Sequence, residues 1–114
     1  MERQSPHPPY RIGLALSGGG ARGFAHIGVY KAMEELGICP GIISGTSAGS
    51  ITGAMFASGR TAEEAMTFFK EKKLLDFARP TMSRTGLMNM NGLERHLAEF
   101  IKVKRMEELR IPLV

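Results

Sequence analysis

Ser47 sits in Gly45–Thr46–Ser47–Ala48–Gly49, between the β-branched pair Ile42–Ile43 and a helix-like run from Ser50 to Ala57. A serine on a tight strand-to-helix turn lifts its hydroxyl above the carboxyl end of a sheet. Glycines two residues to either side let neighbouring backbones approach where a Cβ would clash. A helix starting at Ala48 or Gly49 aims its unsatisfied N–H groups and its positive dipole end at the serine oxygen. A nucleophile that attacks a carbonyl and must then hold negative charge needs this setting. Ser47 is the candidate nucleophile, with Gly45, Thr46, Ala48 and Gly49 as its elbow.

A second loop makes the first more specific. Ser17–Gly18–Gly19–Gly20–Ala21–Arg22–Gly23 comes after the apolar run Arg11–Leu16 and opens into a helix at Phe24. Successive glycines can turn several main-chain N–H groups toward one point, forming an anion-binding concavity. In acyl transfer the anion is the tetrahedral oxyanion, and losing one donor to it costs roughly 3–4 kcal/mol in the barrier. If the two preceding strands are parallel neighbours, both loops reach the same edge of the sheet.

Both loops admit other readings. Gly18–x–Gly20–x–x–Gly23 fits the dinucleotide fingerprint, which expects an acidic residue roughly 20 positions on. No carboxylate lies between Leu36 and Ala62, and no Gly–Lys–Ser/Thr comes after the loop as a phosphate-binding P-loop requires. A nucleotide-binding module is therefore the weaker alternative. A binding module that keeps the anion nest without turnover is the other.

Together the two loops resemble a known family. Leu16–Ser17–Gly18–Gly19–Gly20–Ala21–Arg22–Gly23–Phe24–Ala25–His26–Ile27–Gly28–Val29, with Gly45–Thr46–Ser47–Ala48–Gly49–Ser50 after it, resembles the start of a bacterial patatin-like phospholipase domain. The likeness is close from Arg11 to Gly59 and looser to Val114. It implies an α/β fold with a three-layer, parallel-sheet architecture related to the α/β-hydrolases. It also implies a lipid acyl hydrolase with a Ser–Asp dyad, acting on a lipid or acyl-ester substrate and needing no metal or cofactor. By position, Ser47 is the nucleophile and the Gly19 and Gly20 N–H groups belong to the oxyanion hole. Gly18, Arg22 and Gly23 complete that signature.

The same resemblance implies a dyad aspartate in a downstream Asp–Gly motif, and this chain has no Asp–Gly. Its only aspartate, Asp76, reads as a solvated helix-end carboxylate. Ile111–Val114 resembles the approach to a further core strand. The expectation is a polar, proline-rich tail over 1–10, then the amino-terminal portion of a larger domain over 11–114. Two or three parallel strands alone leave sheet faces and edges poorly covered, which gives the same expectation independently.

Several residues keep two readings. The Arg22 guanidinium either meets a lipid phosphate or holds the loop through its carbonyls. His26 reads as a packed residue near a helix start, bonded to backbone or water, and His96 as solvent-facing. His7 lies in the tail. Met82, Met88 and Met90 fall in an aperiodic loop, Ala78–Met90, that borders the substrate entrance; they either meet lipid or pack beneath it. Lys70, Lys72 and Lys73, and Lys102, Lys104 and Arg105, are solvated helix faces or points of peripheral membrane contact.

Periodicity and caps place the supporting elements. A strand is expected from Arg11 to Leu16, then a helix from about Phe24 to Leu36 closed by Gly37. Ala25, Val29, Ala32, Met33 and Leu36 share one face and are expected to meet the sheet, leaving Glu34 and Glu35 in water. The elbow helix should run to about Ala57. Thr61–Ala62–Glu63–Glu64 is a capping box for a helix reaching about Lys73, and Asn91 starts another through about Ile101.

Composition bounds the rest. The 114 residues are 43% hydrophobic and 23% charged, a globular balance sufficient for one domain with a modest core. A net charge of +4 without interleaved aromatics gives no nucleic-acid surface. One cysteine, Cys39, excludes an intramolecular disulfide and fits a reducing compartment, so a cytoplasmic location is expected. No apolar run has the length of a signal-peptide core or a membrane span. Oligomeric state has no signature here.

Overall fold

The computed structural model describes residues 12–20, 23–71 and 91–114. Arg11, the tail over 1–10, Ala21, Arg22, Lys72, Lys73, Asp76 and the loop Ala78–Met90 with its methionines lie outside the described residues. Short apolar runs give β1 (Gly13–Leu16) and β2 (Ile42–Gly45), paired in parallel from Gly13 opposite Ile42 to Leu16 opposite Gly45. A parallel pair needs a crossover, and α1 (Gly23–Glu35) makes it. The helix closes as expected at Gly37: its N–H donates to the Glu34 carbonyl at 3.1 Å, and the Ile38 N–H donates to that of Met33 at 2.8 Å.

Among the described residues three further helices come next: α2 (Ala48–Ala57) from the elbow, α3 (Ala62–Glu71) and α4 (Asn91–Ile101). A 3-10 turn, Met106–Glu108, precedes the last residues. The capping box at α3 forms as expected. The Glu64 N–H donates to Thr61 Oγ1 and the Thr61 N–H donates to Glu64 Oε1, each at 3.1 Å. Backbone N–H and Arg60 hydrogen bonds hold the Glu64 carboxyl below its usual range, the Thr61 N–H contributing most. Beyond α4 the chain returns to the sheet. Ile43 donates to the Pro112 carbonyl and Val114 to the Ile43 carbonyl, both at 2.9 Å. Leu113 thus bridges Ile43 in parallel, and β2 has neighbours on both sides.

The core gathers around α2. A Cβ added at Gly53 would meet Ile43, Leu113 and Leu16 side chains at 3.2–3.5 Å, so α2 lies directly on that sheet face. Ile43, Met55, Phe56 and Thr52 are wholly buried. Tyr30 from α1 stacks flat on Phe56, with ring centroids 3.8 Å apart and planes within 2°. Burial raises the Tyr30 phenol above its ordinary pKa, and nearby Cys39 and Glu34 add to the rise. The Arg60 guanidinium stands over the Phe100 ring, and its Nε and Nη2 donate to the Phe100 carbonyl at 3.0 and 2.8 Å. It thereby caps the end of α4.

Two expectations need correction. The inward face of α1 is Gly23, Ile27 and Tyr30 with Met33 partly buried, whereas Ala25, Val29, Ala32 and Leu36 are exposed. Apolar residues ring this helix, so spacing alone offers more than one stripe; packing on α2 and α3 selects the one that carries Tyr30. Glu34 is in water as expected, and its carboxylate also accepts the Ala62 N–H at 2.7 Å, so it caps α3 from a different helix. His96 is half-buried, and its Nδ1 has no hydrogen-bond partner among the described residues.

Candidate active site

Parallel pairing brings the carboxyl ends of β1 and β2 together, and with them the two glycine-containing loops. The elbow is tied to β1 directly, because the Thr46 N–H donates to the Leu16 carbonyl at 3.1 Å. Ser47 is exposed and has φ 53° and ψ −125°, a left-handed-side conformation that few non-glycine residues adopt. Such strain persists only where the surroundings over-determine it, and costs roughly 1–3 kcal/mol. Here they do. The Ser47 carbonyl accepts the Ser50 N–H at 2.9 Å and the Ser50 hydroxyl at 2.6 Å. Although Ser47 occupies the N-cap of α2, its hydroxyl makes no capping hydrogen bond.

The elbow glycines are required by close approach. A Cβ at Gly49 would collide with the Leu16 carbonyl and lie 2.7 Å from the Ser17 oxygen. One at Gly45 would lie 2.5 Å from the Gly49 oxygen. The elbow helix can therefore start this close to β1 only if both positions lack side chains.

The glycine loop closes on the same point. A Cβ built on Gly18 would lie 3.1 Å from Ser47 Cβ and 3.8 Å from its Oγ. Gly19 and Gly20 have φ 138° and 58°, accessible to glycine without strain. Among the described residues, the N–H groups of Gly18, Gly19, Gly20 and Ala48 donate to no backbone carbonyl. Gly23, at the start of α1, is buried, and a Cβ there would lie 3.3 Å from Ala48 Cβ. The amino ends of α1 and α2 thus converge beside Ser47, and their dipoles favour negative charge between them.

Of the residues singled out in the sequence, Gly18, Gly23, Gly45, Thr46, Ser47, Ala48 and Gly49 come together; Gly19 and Gly20 come directly after Gly18 in the loop, and Arg22 lies outside the described residues. His26 is turned to the backbone, with Nε2 2.7 Å from the Ser17 carbonyl oxygen. The role of Ser50 has no signal in the sequence beyond its place three residues after the serine. Among the described residues, no helix is long and apolar enough to cross a membrane, and no three His, Cys, Asp or Glu side chains cluster as metal ligands would.

Comparison with known proteins gives the family. The family model described as patatin-like phospholipase matches residues 14–114. Patatin-like phospholipase domain-containing protein 6 of Homo sapiens is 35% identical over 107 residues, covering 89% of this chain and 8% of that protein. Lysophospholipase nte1 of Aspergillus fumigatus is 46% identical over 85 residues, 65% of this chain and 6% of its own length. Patatin-like phospholipase domain-containing protein 7 of Rattus norvegicus is 34% identical over 110 residues, with 89% and 8% covered. These relatives are eukaryotic, whereas the sequence motifs suggested bacterial domains, and the chain spans under a tenth of their length. The strand–glycine loop–helix–strand–serine elbow–helix order and the family match lead to one conclusion: this chain belongs to the patatin-like phospholipase family.

Proposed function

We propose that Ser47 is the nucleophile of a lipid acyl hydrolase and that the Gly19 and Gly20 N–H groups, walled by Gly18, form its oxyanion hole. The observation that carries this reading is the strained Ser47 backbone held against Gly18 at the amino ends of two helices. An ester carbonyl whose oxygen lies toward the glycine loop presents its carbon to Ser47 Oγ. Attack forms the tetrahedral adduct, and its oxyanion takes hydrogen bonds from the Gly19 and Gly20 N–H groups, which donate to no backbone carbonyl among the described residues. Collapse expels the alcohol and leaves the acyl chain on Ser47. Water then attacks that ester, releases the fatty acid and restores the hydroxyl.

The group that accepts the Ser47 proton is not assigned. His26 Nε2 is engaged by the Ser17 carbonyl, and Asp76 lies outside the described residues. The relatives' names include lysophospholipase, so a lysophospholipid ester is the first substrate to try. Labelling by a fluorophosphonate probe, mapped by mass spectrometry, tests the assignment. The expected adduct is on Ser47 and vanishes in Ser47→Ala. An adduct elsewhere, or equal labelling of the variant, would overturn it.

A further inference from the structure

We infer that His26 is a positioning residue: it clamps the Ser17 carbonyl and thereby keeps the glycine loop's N–H groups, not a carbonyl, facing the Ser47 hydroxyl. The inference rests on the oxyanion reading of that loop. His26 lies one turn into α1 and its Nε2 is 2.7 Å from Ser17 O, a short contact for a nitrogen donor. A carbonyl oxygen only accepts, so Nε2 must carry the proton. Gly49 of α2 stands close to the same oxygen, where a Cβ would lie 2.7 Å away. Helix α1 thus grips a carbonyl that lies beside α2.

The grip matters because Ser17 leads straight into the glycine run. The peptide is planar and trans, so the Gly18 N–H points opposite to the Ser17 carbonyl. A peptide plane joined to glycine rotates easily, and Gly18, Gly19 and Gly20 form an unbranched run. If the Ser17–Gly18 plane flipped, the chain would enter Gly19 and Gly20 from a different direction and carry their N–H groups, the proposed donors, away from Ser47. His26 opposes that flip with a hydrogen bond from a regular helix.

Two measurements test the clamp. In the native chain, nitrogen-15 correlation spectra of the imidazole should show a proton on His26 Nε2; a bare Nε2 with the proton on Nδ1 would overturn the inference without any variant. In His26→Ala and in the bulkier His26→Phe, backbone amide order parameters at Gly18, Gly19 and Gly20 should fall from the rigid range of about 0.85 to below about 0.6, while those of Thr52 and Phe56 stay unchanged. His26→Gln, which restores a donor nitrogen, should recover the loop. Phosphonylation of Ser47 should fall roughly 10- to 100-fold in maximal rate with its saturation constant unchanged, a partial loss of the effect of one oxyanion donor. Unchanged loop amides in both His26→Ala and His26→Phe would overturn the clamp. The amide and imidazole readouts do not depend on Ser47 reactivity, so failure of the clamp and failure of the nucleophile assignment are read separately.

Discussion

Gly18 abuts Ser47 so closely that one added methyl would lie 3.1 Å from Ser47 Cβ, tighter than ordinary van der Waals contact. The two loops therefore share a wall, and displacing one displaces the other. Gly18→Ala should leave the fold intact but move the glycine loop by a few tenths of an ångström. An ångström of misplacement costs about 100-fold, so labelling of Ser47 should drop roughly tenfold. A thermal melt and a labelling time course on the same sample check this; undiminished labelling would sink it.

Ser47 stores conformational strain that its hydroxyl does nothing to relieve. Ser47→Ala removes the oxygen and keeps the strain, whereas Ser47→Gly removes both. At an ordinary N-cap glycine is already better than alanine by about 1 kcal/mol. Here Ser47→Gly should be the more stable by about 2 kcal/mol, since it also relieves the backbone strain. Urea denaturation of both variants decides it, and a difference of only about 1 kcal/mol would mean that the backbone there is relaxed.

Tyr30 predicts the alkaline behaviour of the chain. Its folded pKa is raised above the unfolded value of about 10, burial being the main cause. The stability it contributes is fully present below the unfolded pKa and is lost as pH rises through the folded one. Absorbance of tyrosinate should therefore rise together with loss of helix. Tyr10 and Tyr30 are the only tyrosines and tryptophan is absent, so Tyr10→Phe isolates the signal. Tyr30→Phe should keep the stack on Phe56 and remove the alkaline fall.

Arg60 joins three partners: the Phe100 carbonyl, the Phe100 ring and Glu64 at 2.9 Å. Arg60→Ala should cost about 1–2 kcal/mol, through the lost cap of α4 and the uncovered ring. Glu64 adds a smaller, acid-sensitive part, since it is 44% exposed. Its depressed pKa makes that part present above the ordinary carboxylate range and lost as pH falls through the folded value. Glu64→Gln should flatten the acid limb of a stability profile slightly; an unchanged limb would assign the acid sensitivity to another group.

Local chemistry made much of this architecture legible. The Thr61–Glu64 capping box, the Gly37 helix end and the elbow helix depend on residues within a turn of each other, and all stand where spacing put them. Parallel pairing was legible because one helix separates two short strands. The face of α1 was not, because Ile27, Val29, Tyr30 and Leu36 are apolar on different sides and only the docking of Phe56 decides among them. Glu34 on Ala62, Arg60 on Phe100 and His26 on Ser17 were hidden for another reason. Each joins a polar side chain to a main-chain group 28, 40 or 9 residues away, and main-chain groups carry no residue-type signal.

The bridge from Leu113 to Ile43 gives the strained turn its anchorage. With β1 bonded to one side and residues 112–114 to the other, β2 is an interior rail that cannot slip by a residue without turning Ile43 out of the core. A turn hung from an edge strand could relax by peeling. Ser47, hung from the middle of the ladder, has no such escape, so its tension is kept by hydrogen bonds several residues away.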